Sequence, residues 1–395
     1  MTQRISHALR LAVAVLLGLS ALLGCGSPAP SHNPVTCPID SGSLALAAAG
    51  RANSATPRLD GDLRTVIAHA LGAGAGLHLI RVDGAPETMW RRASLDLAGN
   101  SAAREQQVEQ TLGDLTGALT RARAVTTQAD DLTALAVAAR AARGDSRHGS
   151  PVVILADSGL QTSPPLDFRQ PGVLSAEPAE IANYLQRTGQ LPDLSGVTVL
   201  FAGLGATTTP QTPLTDTQIN RLTTTYTAIA TAAGATCVAV LATTPDTRPR
   251  TDVPEVDQVP VPPPVTFTTS DPLILGNDVI GFAPDTAQFL DPAAATTALA
   301  PVLAHLRTHP HSTVTVTGTC SSGVLGHYPD RIALSLARAR AVAGLLTDAG
   351  ISPDRIITHG AGTDFPDFVP DLAPDGTLLP GPAAHNRSVR LTITT

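Results

Sequence analysis

Short apolar runs and amphipathic runs alternate along most of this chain. Leu44–Ala48, Leu77–Val82, Val152–Leu155, Val197–Phe201 and Cys237–Leu241 are nearly unbroken apolar stretches bounded by turn residues. Runs of that kind suit parallel strands covered on both faces, because a strand with one wet face alternates apolar and polar positions instead. Between them lie segments whose apolar residues recur every three or four positions, the spacing of a helix with one buried stripe. They predict helices over Leu63–Leu71, over a long Ala-rich stretch after Asn100 through Val108, Leu112, Leu115 and Leu119, and over Asp131–Arg143, Glu177–Arg187 and Thr215–Ala233. Asp130 or Asp131 is placed to cap the helix that begins there. Strands alternating with helices predict a doubly wound α/β domain over residues 41–244.

After Thr244 the pattern changes. Prolines at positions 245, 249, 254, 260 and 262–264 alternate with Asp, Thr and Val, the composition of a stiff, extended segment. Residues 245–265 are therefore expected to be a linker that spaces two domains apart. Residues 266–395 then carry a new series: a strand at Val279–Phe282 and a helix over Pro292–Thr308 with Leu299, Leu303 and Leu306 on one face. Val314 and Val316 alternate with Thr313, Thr315 and Thr317 as a strand that Gly318 ends. A Ser/Gly loop follows, then a helix from about Asp330 to Thr347, a strand at Ile356–Thr358 and a closing strand at Val389–Ile393. The order β-α-β-α-β-β predicts an α/β sandwich on a mixed sheet.

Composition narrows the function. The chain has 395 residues, 43% hydrophobic and 15% charged, enough for at least one sizeable core. A net charge of -7 argues against nucleic acid as a partner, and 3% aromatics leave little for a stacking platform. At the N-terminus Arg4, His7 and Arg10 precede an apolar run, Leu11–Leu19, that is short of the about 20 residues a spanning helix needs. Leu22-Leu23-Gly24-Cys25 follows and resembles the lipobox of bacterial lipoproteins. That resemblance implies residues 1–24 as a signal peptide, a diacylglycerol on the Cys25 thiol, and a membrane-anchored protein on the extracytoplasmic side of the cell envelope. An ordinary secretory signal or a short membrane anchor are the alternatives. Residues 25–40, rich in Ser, Pro and Asn, read as a flexible tether. Cys37, Cys237 and Cys320 are then left in an oxidising setting, where a Cys37–Cys237 disulfide would pin the tether to the sheet and Cys320 would stay free. Nothing near them has zinc-ligand spacing, so neither a metal nor a cofactor is expected.

In a doubly wound domain ligands sit at the carboxyl ends of the strands, which here read Ala156-Asp157-Ser158-Gly159 and Ala202-Gly203-Leu204-Gly205. The element order together with Asp157 resembles a von Willebrand factor A-like domain. Metal-dependent members carry Asp-x-Ser-x-Ser after the first strand, whereas this chain has Ala49-Gly50-Arg51-Ala52-Asn53-Ser54, with no carboxylate. A metal-free version is expected, structural or recruiting an envelope protein of unknown identity. Gly203-x-Gly205 lacks the third glycine of a dinucleotide loop, since position 208 is Thr, and reads as a tight turn. Ser158 and Asp157, with His148 upstream, lack the Gly-x-Ser-x-Gly of a nucleophile elbow. No catalysis is expected.

The second domain offers the sharper motif. Phe282 and its Pro/Asp turn, Val314-x-Val316-x-Gly318, Leu334-Ser335-x-x-Arg338-Ala339-x-x-Val342, Gly350-Ile351, Arg355, Gly360-x-Gly362 and Asn386-Arg387-x-Val389-x-Leu391 occur in order. The region resembles the OmpA-like peptidoglycan-binding domain. The resemblance implies non-covalent binding of the wall through the diaminopimelate of its stem peptide, with a loop Asp on the ammonium and a helix arginine on the carboxylate. Arg338 occupies that arginine position, and its planar fork of donors matches a carboxylate. Arg387 is a second candidate, and Thr319, Ser321 and Asn386 complete the set. One departure matters: Gly318-Thr319-Cys320-Ser321 replaces Gly-x-Thr-Asp, so Ser321 stands where the acid would. A lost charge-assisted partner of roughly 1.5–3 kcal/mol is about one to two orders of magnitude in affinity. Asp330, Asp278 and Asp285 are the acids placed to substitute. The expected role is to tether membrane to wall. The alternatives are an interaction module that has lost diaminopimelate binding, or a metal-dependent adhesion or hydrolase activity in the first domain. His305, His309 and His311 are expected to face solvent at a helix end.

Overall fold

All six residues of the first strand, β1 (Leu44–Ala49), are buried, and its alanines let helices approach both faces of the sheet closely. The computed structural model describes residues 37–39, 42–95, 97, 99–145, 149–244, 246–261 and 266–395; Cys25, the expected signal peptide, most of the expected tether and His148 lie outside them. After β1 come α1 (Gly61–Gly72), β2 (Leu77–Val82), β3 (Glu87–Arg92), α2 (Ser101–Arg121) and α3 (Asp131–Asp145). Then follow β4 (Val152–Ala156), α4 (Pro178–Arg187), β5 (Thr198–Ala202), α5 (Asp216–Ala232) and β6 (Cys237–Leu241). The six strands are ordered β3-β2-β1-β4-β5-β6. All pair in parallel except the β2–β3 edge. Strand β3 has no apolar run to betray it: most of its residues are exposed and half are charged, a common way to blunt a sheet edge.

Side chains alternate across the sheet. Leu44, Leu46 and Ala48 join the core under α1 and α2, while Ala45 and Ala47 join the one under α3, α4 and α5. Cys37 and Cys237 are joined by a disulfide on the α1 and α2 side, with Cα atoms 5.7 Å apart.

The proline-rich stretch does not stand off as a spacer. Val256 and Val259 are buried, and Val259 belongs to the core under α5. The Gln211 side chain bonds Val259 in both directions, accepting from its N–H at 2.9 Å and donating to its carbonyl at 2.8 Å. Arg169 reaches Asp257 at 2.6 Å. The prolines stiffen this chain, but the valines between them have an apolar surface within reach, and burial outweighs extension into water.

The second sheet uses β7 (Leu273–Gly276), α6 (Pro292–Ala298), α7 (Ala300–Thr308), β8 (Thr313–Thr319), α8 (Arg331–Asp348), β9 (Ile356–Gly362), α9 (Pro380–Asn386) and β10 (Ser388–Thr394). Strand order is β7-β10-β8-β9, with β10 antiparallel to β7 and β8, and β8 parallel to β9. The opening strand lies earlier than Val279–Phe282. Leu273 and Leu275 pair with Leu391 and Val389, and the later residues turn back so that Val279 and Ile280 donate to the Gly276 carbonyl. The helix expected over Pro292–Thr308 is two helices meeting at Leu299, because Pro301 has no N–H to continue the first. Helix α8 is pressed onto the sheet at two glycines: a Cβ on Gly318 would lie 2.0 Å from the Ser335 carbonyl oxygen, and one on Gly360 would lie 2.4 Å from that of Ile332.

Both sheets belong to one compact unit, Val35–Thr395. Helix α9, unforeseen from its Gly- and Pro-rich sequence, sends Ala384 into the core of the first sheet. Gly172 and Gly381 allow the backbones to touch there, since a Cβ on Gly172 would meet the Gly381 oxygen at 2.2 Å. Among the described residues no helix is long and apolar enough to cross a membrane.

Candidate functional site

Helix α8 turns Ser335, Ala339 and Val342 into the sheet, and Arg338 shares that buried side at its edge. Only 5% of Arg338 is exposed. Its Nε donates to the Thr286 carbonyl at 2.9 Å, and its guanidinium carbon lies 5.2 Å from the centre of the Phe282 ring. The carbonyl and the ring face together fix the plane of the fork. Neither Nη atom has a hydrogen-bond partner among the described residues, and the side chain lines a cavity of 580 Å³. Burial, reinforced by the charge of Arg387, lowers the Arg338 pKa to about 10, which leaves it cationic at neutral pH.

One wall of this cavity comes from the second sheet and its loops, with Phe282, Asp285, Ser322, Gly323, Arg338 and Arg387. The facing wall is α4 of the first sheet, with Glu177, Glu180, Asn183, Tyr184 and Arg187. Those positions recur every three or four residues, so one side of α4 faces the cavity while Ile181 and Leu185 on the other enter the core. Arg387 also lines the cavity, but unlike Arg338 it already has a carboxylate partner. It forms a two-point pair with Glu180, Nη1 to Oε2 at 2.8 Å and Nη2 to Oε1 at 2.6 Å. Glu177 accepts from Asn277 Nδ2 at 2.6 Å and lies 3.3 Å from Arg221 Nη1.

The remaining candidates do not line the cavity. Thr319 is a clasp: its hydroxyl donates to the Asn386 carbonyl at 2.7 Å and accepts from the Ser388 N–H at 3.0 Å. Asn386 is fully buried, bridging the Val369 backbone and Asp371. Both were expected at a ligand and instead hold β8, β10 and the loop before α9 together. Ser321 is 6% exposed, and among the described residues its hydroxyl accepts only from the Gly323 N–H, at 3.4 Å. Of the acids placed to replace a loop Asp, Asp330 caps α8 through the Ala333 N–H at 2.7 Å and Asp278 lies outside the cavity, while Asp285 lines it. Asp371 was missed altogether. It is 1% exposed and accepts from the Ser322 N–H at 2.8 Å, so a distant loop supplies the carboxylate that steadies the Ser/Gly loop from beneath. Its only sequence signal was a polar stretch between β9 and β10 of no recognisable period. Cys320 is a free thiol, and burial pushes its pKa up to about 11, which makes it a poor nucleophile at neutral pH. His305 and His309 stack at 4.1 Å, and no metal-sized group of His, Cys, Asp or Glu occurs among the described residues.

The crevice of the first sheet is filled differently. Between β1 and β4 the chain reverses its direction of travel across the sheet, the place where such folds bind ligands. Arg51 sits there with Nη2 at 2.7 Å from Asp157 Oδ1, both side chains essentially without exposure. The same oxygen takes the Ser158 hydroxyl at 3.0 Å and the Gly159 N–H at 3.1 Å. A divalent ion would meet a fixed guanidinium at this carboxylate. Asp131 lies close by, bonded by the Tyr226 hydroxyl at 3.0 Å. Burial, then the charge of Asp157, raises its pKa well above the usual carboxylate value.

Comparison with known proteins supports the identity of the second sheet. Residues 281–369 match the OmpA family. Similar solved structures include the periplasmic domain of Helicobacter pylori MotB, 16% identical over 31% of this chain and 75% of that one, with a TM-score of 0.26. The OmpA-like domain of FopA1 from Francisella tularensis is 27% identical over 33% of this chain and 78% of its own, with a TM-score of 0.24. The cell wall anchor of the Pseudomonas aeruginosa T6SS is 25% identical over 31% and 79%, with a TM-score of 0.25. None of the curated proteins compared matches the chain. The C-terminal part of the chain thus carries an OmpA-like domain, and the family match stops short of β1–β6.

Proposed function

We propose that this protein binds peptidoglycan non-covalently through its OmpA-like part and, with a lipid on Cys25, tethers a membrane to the cell wall. Arg338 carries the reading. A guanidinium held by Thr286 and Phe282, with both terminal nitrogens open to a 580 Å³ cavity, is a preformed seat for a carboxylate. Diaminopimelate in a stem peptide offers a free carboxylate beside an ammonium. The cavity has room for that residue and its neighbours in the stem. Nothing in this role requires a reaction; positioning and affinity are the whole of it.

The first sheet fits a metal-free, von Willebrand factor A-like scaffold. Its strand order supports that reading, as does Arg51 standing at Asp157, where an ion would have to bind.

Wall binding is tested by sedimenting the full chain with purified diaminopimelate-type peptidoglycan. Wild type is expected in the pellet and Arg338→Ala in the supernatant. A wild-type protein that stays in solution, or an Arg338→Ala variant that pellets as well as wild type, removes the reading. The lipid is tested separately: wild type should partition with membranes after expression in a lipoprotein-processing host, and Cys25→Ser should not.

A further inference from the structure

We propose that α4, a helix of the other sheet, supplies the acidic half of the ligand site, so that wall binding belongs to the two halves of the molecule jointly. This rests on the reading of Arg338 as the carboxylate seat. A zwitterionic amino-acid head needs an acid facing that arginine, and the OmpA-like loop no longer offers one. Ser321 stands in place of the acid and does not reach the cavity, and Asp371 is turned inward to the Ser322 backbone. Asp285, the one acid of the OmpA-like part in the lining among the described residues, is on the same wall as Arg338 rather than across from it. Glu177 and Glu180 stand on the opposite wall.

Both are fixed in place across the boundary. Glu180 is held by Arg387 at 2.6 and 2.8 Å, and Glu177 by Asn277 and Arg221. A carboxylate has about four lone-pair sites, so the two that Arg387 occupies leave others for an ammonium. Nor does α4 act as a plug. With the helix in place the cavity still measures 580 Å³ and the Arg338 nitrogens still lack a partner. The wall facing the arginine seat carries two carboxylates, Glu177 and Glu180, along with Arg187, so an ammonium has glutamates to meet while the carboxylate beside it goes to Arg338. A ligand carrying carboxylate but no ammonium fits the site less well.

The test is calorimetric titration of the full chain with a stem tripeptide ending in diaminopimelate, and with the same peptide acetylated on the free diaminopimelate amine. Wild type should prefer the free amine. Glu177→Gln/Glu180→Gln should weaken the free-amine peptide roughly tenfold and bind both peptides alike. Glu177→Gln alone, whose side chain can still contact Asn277 and Arg221, should show a smaller loss and serves should the double variant fail to fold, as judged by thermal melting. Arg338→Ala should bind neither peptide. If Arg338→Ala abolishes binding while the glutamate variants keep both wild-type affinity and amine preference, the site lies in the OmpA-like part alone and the proposal falls. If the glutamate variants bind more tightly, α4 is a cover and the proposal also falls. A wild-type protein that binds neither peptide removes the reading beneath it.

Discussion

Two arginines in this molecule are almost equally buried, Arg51 at 1% exposure and Arg338 at 5%, yet they stand in opposite situations. Arg51 has its counter-ion built in, with Asp157 at 2.7 Å. Arg338 has a carbonyl and a ring to hold it but no carboxylate in contact, and its free nitrogens look into a cavity. Taking a guanidinium out of water is costly unless a partner compensates it. At Arg51 the compensation comes from within the fold, so the group is structure. At Arg338 no carboxylate among the described residues is in contact, and the proposed wall ligand would supply one. Burial alone does not separate the two; the direction of the unpaired donors does.

The comparison breaks most sharply on stability. Asp157→Ala leaves Arg51 buried without its partner and should cost about 3–5 kcal/mol in urea unfolding. Replacing both members by apolar residues, Arg51→Met with Asp157→Leu, should recover most of that loss. Arg338→Met should instead leave stability unchanged or slightly raised while removing wall binding, because it deletes a charge that the fold does not compensate. An Arg338→Met variant as damaged as Asp157→Ala would put both arginines in the same class.

The boundary between the halves gives a second, smaller effect. A Cβ on Gly381 would lie 2.8 Å from the Pro171 carbonyl oxygen, so Gly381→Val forces the backbones apart. A cost of about 1–3 kcal/mol is expected, together with loss of the Glu180 contact to Arg387. Full stability in urea with unchanged wall binding would show that the close approach is incidental to the site.

Much of this was legible beforehand, and unevenly. Leu44–Ala49, Val152–Ala156 and Thr198–Ala202 announce themselves because a strand covered on both faces must be apolar throughout. Arg338 was legible because close packing of α8 demands glycine at 318 and 360 and a small polar residue at 335, which leaves a recognisable frame around it. What stayed hidden was whatever depends on the other half of the chain. Nothing local to Glu180 indicates that Arg387, over two hundred residues away, is its partner. Asp371 carried no signal of its own and Asn386 was expected at the ligand, and the two are in fact a buried brace. The valines at 256 and 259 looked like part of a spacer because their docking surface lies elsewhere in the sequence. Strand β7 was misplaced by a few residues for a similar reason: Leu273–Gly276 is defined by pairing with β10, at the far end of the chain.

The chemistry of the open arginine can be sharpened without removing charge. Arg338→Lys keeps the cation but loses the planar fork, and the shorter reach of one ammonium cannot keep both the Thr286 carbonyl and a bidentate carboxylate. Affinity for a diaminopimelate peptide should fall about tenfold, or ~1.4 kcal/mol, with melting temperature little changed. Equal affinity for Lys and Arg would mean that charge alone, not the fork, is read at this site.

The smallest effect concerns the closed cluster and has a definite sign. Burial, then the neighbouring Asp157 charge, raises the pKa of Asp131 above its ordinary 3.8, against the opposing pull of Arg51 and the Tyr226 hydroxyl. The folded protein therefore holds this proton over a range in which the unfolded chain has released it. Stability from this group is complete below the unfolded pKa and is lost as pH rises through the folded one, at up to about 1.4 kcal/mol per pH unit. Asp131→Asn carries an uncharged group of the same shape throughout. Its stability relative to wild type should thus climb as pH is raised from about 4 and level off once wild-type Asp131 is ionised. Urea unfolding of both proteins across that range measures it directly. Curves that stay parallel would mean Asp131 titrates no differently folded than unfolded. The crevice around Arg51 would then be more open to water than its burial implies, and closer in kind to the cavity around Arg338.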